Sequence, residues 1–400
     1  MTITLRKKIA IYLVSLLSFS IFFLYLKHQI GNDSTISEWL INYEGGFTKR
    51  GIIGQIAIYF SRLFDQNLRW ILFIMQVTAC SIYFILIYNF LKDINYNRIL
   101  ILAIFTPIFV LYPVAEIEVL ARKEILVFTL YLLYLLIPNN YFLKYFSFII
   151  FYILSVLIWE PVVFFAPLFI AIEVIENKIE SVNFKLIFIL FKFLPGLLIA
   201  GYIAINPISG DNHEIMSSVL KKEFGETCYM SCALLKSKST IFQQFQGNFH
   251  KYSLEIFIRY FLIILIGFGP IFILLKNSIL KNKNLLFFNK FNNLLFPTIL
   301  TLLPVILLFA MGYDWGRWVN ISYVFTFIFY FYLLNKNYLI IENKMNSNFI
   351  MTLNKKLFII IFVLFCFGWN PKTVITGDVA SFPGYRIPYK TISYFIRGHF

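Results

Sequence analysis

Charge is what this chain has least of. Only 14% of its 400 residues are Asp, Glu, Lys or Arg, and just 20 are acidic, whereas a soluble domain carries about 25% charged residues. No stretch is polar enough or long enough to read as a separate soluble domain, and no internal repeat is visible. Histidine and cysteine occur four times each, without the paired spacing of a structural metal site, so neither a metal nor another cofactor is expected. Lys and Arg exceed the acids by 15, but they lie in short scattered groups rather than on one basic face, which argues against nucleic acid as a partner. The first apolar run, 9–26, is followed by no clean small-residue cleavage site and reads as a retained anchor rather than a removed signal peptide.

What the chain has in quantity is apolar length. Hydrophobic residues make up 60% and the mean hydropathy is +0.76. Its apolar runs approach the ~20 residues that carry a helix across a bilayer, and they lack the alternation of a barrel strand. The expected fold is all-α: one polytopic transmembrane helix bundle over residues 1–400, with about eleven spans (roughly 9 to 12) and the bilayer as its surroundings.

Arg6, Lys7 and Lys8 before the first span put the N-terminus in the cytoplasm. The spans then read 9–26, 69–91, 99–112, 125–138, 142–158, 162–175, 186–205, 256–275, 294–312, 318–334 and 357–368. Lys92, Lys144, Lys178, Lys281, Lys344 and Lys355 fall on the cytoplasmic side of this order. Outside lie a first loop, 27–68, whose segment 51–64 reads as an amphipathic helix flat on the outer interface, a large loop, 206–255, and the C-terminal tail, 369–400.

Four polar pieces interrupt the apolar text, and this topology brings all four to the outer face. The first is Asn42-Tyr43-Glu44-Gly45-Gly46-Phe47-Thr48-Lys49-Arg50-Gly51, where glycines permit a fold-back beside two cations. The others are Ala121-Arg122-Lys123-Glu124, Trp159-Glu160-Pro161 and Asp314-Trp315-Gly316-Arg317-Trp318. An ionisable residue at membrane depth costs at least ~2.5–3.5 kcal/mol and so has a partner or a function. Arg50, Arg122 and Arg317, with Lys49 and Lys123, offer the forked and point-charge donors that hold a diphosphate. Glu160, then Glu44, then Asp314 are the candidate bases. Trp315 and Trp318 read either as an interfacial aromatic belt or as platforms for sugar rings. The structural alternative pairs the same charges with one another: Arg122 with Glu118, Arg317 with Asp314, Arg50 with Glu44, and Glu160 with an Arg or Lys of a neighbouring helix. In the large loop, Cys228 and Cys232 close a disulfide if their segment is not a regular helix, and His213 and His250 read as surface residues.

In these residues, Gly46-Phe47-Thr48-Lys49-Arg50-Gly51, Arg122-Lys123-Glu124 and Asp314-Trp315-Gly316-Arg317-Trp318, the chain resembles the Wzy-type O-antigen polymerases, and it matches them in layout along its whole length. The resemblance implies transfer of a growing glycan from one polyprenyl-diphosphate carrier to a repeat unit on another, at the outer face of the bacterial cytoplasmic membrane. It implies a polyprenyl-diphosphate-linked glycan as substrate and a chain-length regulator protein as partner. The chain also resembles C-type glycosyltransferases that use a polyprenyl-phosphate sugar, through Glu38 and Glu44 ahead of segment 51–64; Glu44 would then be the catalytic acid. A lipid-linked oligosaccharide flippase is a third reading, disfavoured because the charges gather at one face, with Lys192 the main exception.

Overall fold

The computed structural model describes residues 2–31, 33–138, 141–236 and 241–375. Helix accounts for 73% of the described residues. The strands among the described residues are two three-residue pieces, Ser278–Leu280 and Leu339–Ile341, paired antiparallel. Three helices there are long and apolar enough to cross a membrane, or five if each of two bent pairs is one span. The backbone forms two compact units, the first comprising residues 1–92, 117–166 and 184–240 and the second the remainder.

In the first unit, α1 (Thr2–Ile30) packs along α4 (Leu68–Leu91). Both are apolar over most of their length and carry no proline, so nothing interrupts their i to i−4 ladders. Two short helices occupy the connection between them. α2 (Ser34–Trp39) starts where Asp33 Oδ1 accepts the Thr35 amide at 2.8 Å, a side-chain N-cap. α3 (Gly51–Phe64) has the predicted boundaries and is apolar on one face. It lies against the 39–41 backbone because Gly54 has no side chain: a Cβ there would sit 2.1 Å from the Ile41 carbonyl oxygen. α5 (Glu124–Leu136) and α6 (Tyr141–Ile158) follow the expected spans closely. The large loop is not irregular. It contains α7 (Gly210–Phe224), capped by the Ser209 hydroxyl and stopped by left-handed Gly225.

Several expected spans are broken at proline, which lacks the amide its turn needs and clashes with the preceding turn. Segment 186–205 bends by 41° before Pro195. In the second unit, 256–275 bends by 57° before Pro270, 294–312 passes through a tighter turn at Pro304, and 99–112 stops as a helix at Phe105, ahead of Pro107. The last break is repaired from α8 (Trp315–Asn335), a helix buried on all sides. Pro107 cannot donate to the Ala103 carbonyl, and the Tyr323 hydroxyl does so instead at 2.6 Å. Asn320 Nδ2 donates to the Ile108 and Phe109 carbonyls at 2.9 and 3.1 Å. Buried backbone acceptors are thereby satisfied by two polar side chains, Asn320 and Tyr323, of this buried helix. Of the expected tail 369–400, residues 376–400 lie outside the described residues.

Candidate functional site

The first loop is built to present one guanidinium. Arg50 is the N-cap of α3 and has φ +62, a left-handed conformation that costs a non-glycine residue about 1–2 kcal/mol. Its carbonyl turns toward Lys123, whose Nζ donates to it. Ala121, at φ +50, makes a second such turn. Its carbonyl accepts the Trp39 indole N–H at 2.9 Å, tying α2 to the segment that carries Arg122 and Lys123.

Arg50 does not pair with Glu44. Its Nε and Nη2 donate to the two oxygens of Glu160 at 2.8 and 2.9 Å, a bidentate fork, and its Nη1 donates to Glu38 Oε1 at 3.0 Å. Glu160 is placed by the end of α6. Trp159 is extended and fully buried, and Pro161 forbids continuation of the helix, so the carboxylate leaves the chain at the first turn of a short 3₁₀ segment. The Glu38 side chain is 1% exposed and that of Glu160 21%, so Glu160 is the carboxylate a substrate can reach.

The charges tune one another. Burial pulls the Glu160 pKa upward, but Arg50 and Lys49 outweigh it and the carboxyl stays below its ordinary value. Burial brings Lys123 down to about 7, against the opposing pull of Glu38. Burial likewise lowers Lys49, with Glu160 opposing. The site thus holds Glu160 as an ionised carboxylate beside a permanent guanidinium, with Lys49 and Lys123 holding their protons less firmly than exposed lysines do.

The other expected residues have partners of their own. Glu44 accepts from Arg62 at 2.9 Å and from Gln55 at 2.8 Å, and the Arg62 hydrogen bond, ahead of the opposing effect of burial, lowers its pKa. Arg62 also grips Glu223 of α7 at 2.6 Å. Arg122 Nε donates to the Glu118 carbonyl at 2.9 Å, while its neighbour Lys123 faces Arg50. In the second unit, Arg317 is 5% exposed, lies 3.4 Å from Asp314 and sits over the Trp318 ring at 5.2 Å. Trp315 is not an open platform. It is 5% exposed, donates to the Phe309 carbonyl, and is surrounded by Tyr252, Phe257, Tyr260 and Phe309.

Cys228 and Cys232 lie in an irregular stretch after α7 and are disulfide-bonded. His213 is buried rather than on the surface, its Nε2 3.1 Å from the Cys232 carbonyl oxygen. These three residues could together hold a metal ion by proximity, but in the bonded form both sulfurs are joined to each other.

Comparison with known proteins adds no relative. No protein-family model matches this chain, and neither a curated protein nor a solved structure matches it. The site therefore stands on its own geometry. The residue that sequence reasoning undervalued is Glu38: it is a buried acid in a six-residue helix of which all but Ser34 is buried, and its burial beside Arg50 was signalled only by its place next to Trp39.

Proposed function

We propose that this protein polymerises polyprenyl-diphosphate-linked oligosaccharide units into surface polysaccharide at the outer face of the bacterial cytoplasmic membrane, acting as a glycosyltransferase with about eleven spans, several of them broken or tilted. The reading is carried by Arg50 held between Glu38 and Glu160, with Lys49 and Lys123 beside it. Glu160 is ionised, partly exposed and clamped in place, so it is free to accept a proton, and its lowered pKa makes it a weaker base than a carboxylate tuned toward neutrality. A cluster of Arg and Lys suits the charge that develops on a departing diphosphate.

In this mechanism Glu160 takes the proton of the acceptor hydroxyl. The acceptor oxygen forms a bond to the anomeric carbon of the donor glycan as the bond from that carbon to the phosphate oxygen breaks. The electron pair leaves on the diphosphate, which Arg50 and Lys49 stabilise, and Lys123 adds its field from beneath. Arg122 and Arg317 remain candidates for holding carrier or glycan, and a chain-length regulator is the expected partner.

A second reading, a C-type transferase using a polyprenyl-phosphate sugar, is favoured by one feature: two short helices, α2 and α3, fill the loop between two long apolar helices and carry a buried acid. That acid would be Glu38, since Glu44 is committed to Arg62 and Gln55.

Gel analysis of surface polysaccharide separates the readings. Cells lacking the gene, or carrying membrane-inserted Glu160→Gln protein, should lose long chains and keep a core capped by one repeat unit. Unchanged chain length would sink polymerisation, and a repeat unit short by one sugar would favour the second reading.

A further inference from the structure

The helix Ile241–Phe249, expected to lie in a watery loop, carries Phe242, Phe245 and Phe249 at 67%, 39% and 62% exposure. At about 100° per residue these rings share one flank of the helix. Gln243 and Gly247 are exposed on another flank, and Gln244 and Asn248 are half-buried on a third. The half-buried side is tied down: Asn248 Nδ2 donates to the Met311 carbonyl, and the nearby Tyr252 hydroxyl reaches the Phe309 and Ala310 carbonyls at 2.9 and 3.0 Å. These are the open carbonyls at the C-terminus of the apolar helix Ile306–Met311.

The attachment fixes the level of the phenylalanines. Helix Ile306–Met311 exposes Ile306 and Leu307, and helix Leu254–Gly267, which follows directly, exposes Leu254, Phe257, Ile258 and Phe261. If those helices cross a bilayer, their exposed rows face acyl chains, and the phenylalanine flank continues that surface at its edge. Lys251 and His250 stand at the same end, Lys251 over the Tyr313 ring at 4.0 Å, as cationic and aromatic groups do at a headgroup layer.

We propose that Ile241–Phe249 is an interfacial helix that lies on the lipid surface with Phe242, Phe245 and Phe249 inserted among acyl chains. Residues 206–255 then form a loop pinned to the membrane at its second half, not one that hangs free in water. A 9-residue amphipathic helix with one aromatic flank and one amide flank fits a bilayer edge, whereas a flank meant for water would not present three rings.

The test uses the full chain in vesicles of phosphatidylethanolamine and phosphatidylglycerol, with a nitroxide on Phe245→Cys, Gly247→Cys or Phe261→Cys. Cys80 and Cys366 are buried and Cys228 is bonded to Cys232, so the introduced thiol is the reactive one. Position 247 has open space for a side chain, which guards against a folding failure. Collisions with oxygen should exceed those with a water-soluble nickel chelate severalfold more at 245 than at 247. A label at 245 that meets the nickel chelate freely, or is shielded from both reagents as in a protein contact, overturns the proposal. Position 261 reports separately on the spanning reading: lipid exposure at 261 without it at 245 defeats the interfacial helix alone, and its absence at 261 defeats both.

Discussion

Arg50 and Glu160 are 110 residues apart in sequence and meet through two parallel hydrogen bonds of 2.8 and 2.9 Å. The fork orients the carboxylate by two contacts at once, and it also lowers its proton affinity after burial has raised it. The position of the candidate base therefore depends on one residue of the first loop, and its charge state on that residue together with Lys49.

Glu160→Gln keeps the size of the side chain and removes the base, but its amide oxygen accepts only one of the two Arg50 donors. Transfer activity in membranes should fall by about 10² to 10⁴-fold, with the protein still in the membrane and its detergent melting temperature lowered. An active Glu160→Gln protein would move the base to Glu38.

Arg50→Ala leaves Glu38 and Glu160 facing each other without their shared cation. Breaking such a buried set by one partner costs about 3–5 kcal/mol, to be read as a large drop in melting temperature in detergent. Arg50→Lys should recover part of the stability, since charge returns, but little activity, since an ammonium cannot fork.

Lys123 has a folded pKa of about 7 against about 10.4 in the unfolded chain. Between those values the unfolded state binds the proton and the folded state does not. As pH falls from about 10 to 7, this group therefore weighs increasingly against folding, and below 7 its contribution is constant. Lys123→Met should remove that slope from the melting temperature measured across pH 7 to 10. Glu160, whose folded pKa is also lowered, gives a slope of the same sign in a more acidic window, its stabilisation holding above its ordinary pKa and failing as pH drops below it.

Gly54→Ala should disrupt the first loop, because the added carbon would meet the Ile41 carbonyl at 2.1 Å, while Gly201→Ala meets nothing within 4 Å. The first should lower both stability and activity; the second should be neutral or stabilise by about 0.5–1 kcal/mol. Equal effects from the two variants would mean that α3 does not lie against residues 39–41.

Cys228→Ser opens a loop of sequence separation four, worth about 2 kcal/mol in the chain-entropy account. Intact protein should resist alkylation until reduced, and the variant should melt earlier, with Glu160 and Arg50 function retained.

What the sequence determined by itself is what local chemistry decides. Long apolar runs without proline became α1 and α4, and a run apolar on one face became α3 at the predicted residues, because hydropathy and period act within a few turns. The prolines at 107, 195, 270 and 304 also stood in the text, but apolar length alone gave unbroken spans where the missing amide breaks them. Only the tertiary structure decided the pairing of charges. Glu38 and Glu44 are both acids of one loop, six residues apart, and nothing local chooses between them as the partner of Arg50. The choice follows from the left-handed turn at Arg50 and the burial of α2 against Ala121, which direct the guanidinium to Glu38 and Glu160 and leave Glu44 to Arg62. Such an arrangement depends on segments brought together from across the chain, where the cost of leaving a buried charge unpaired selects the partner.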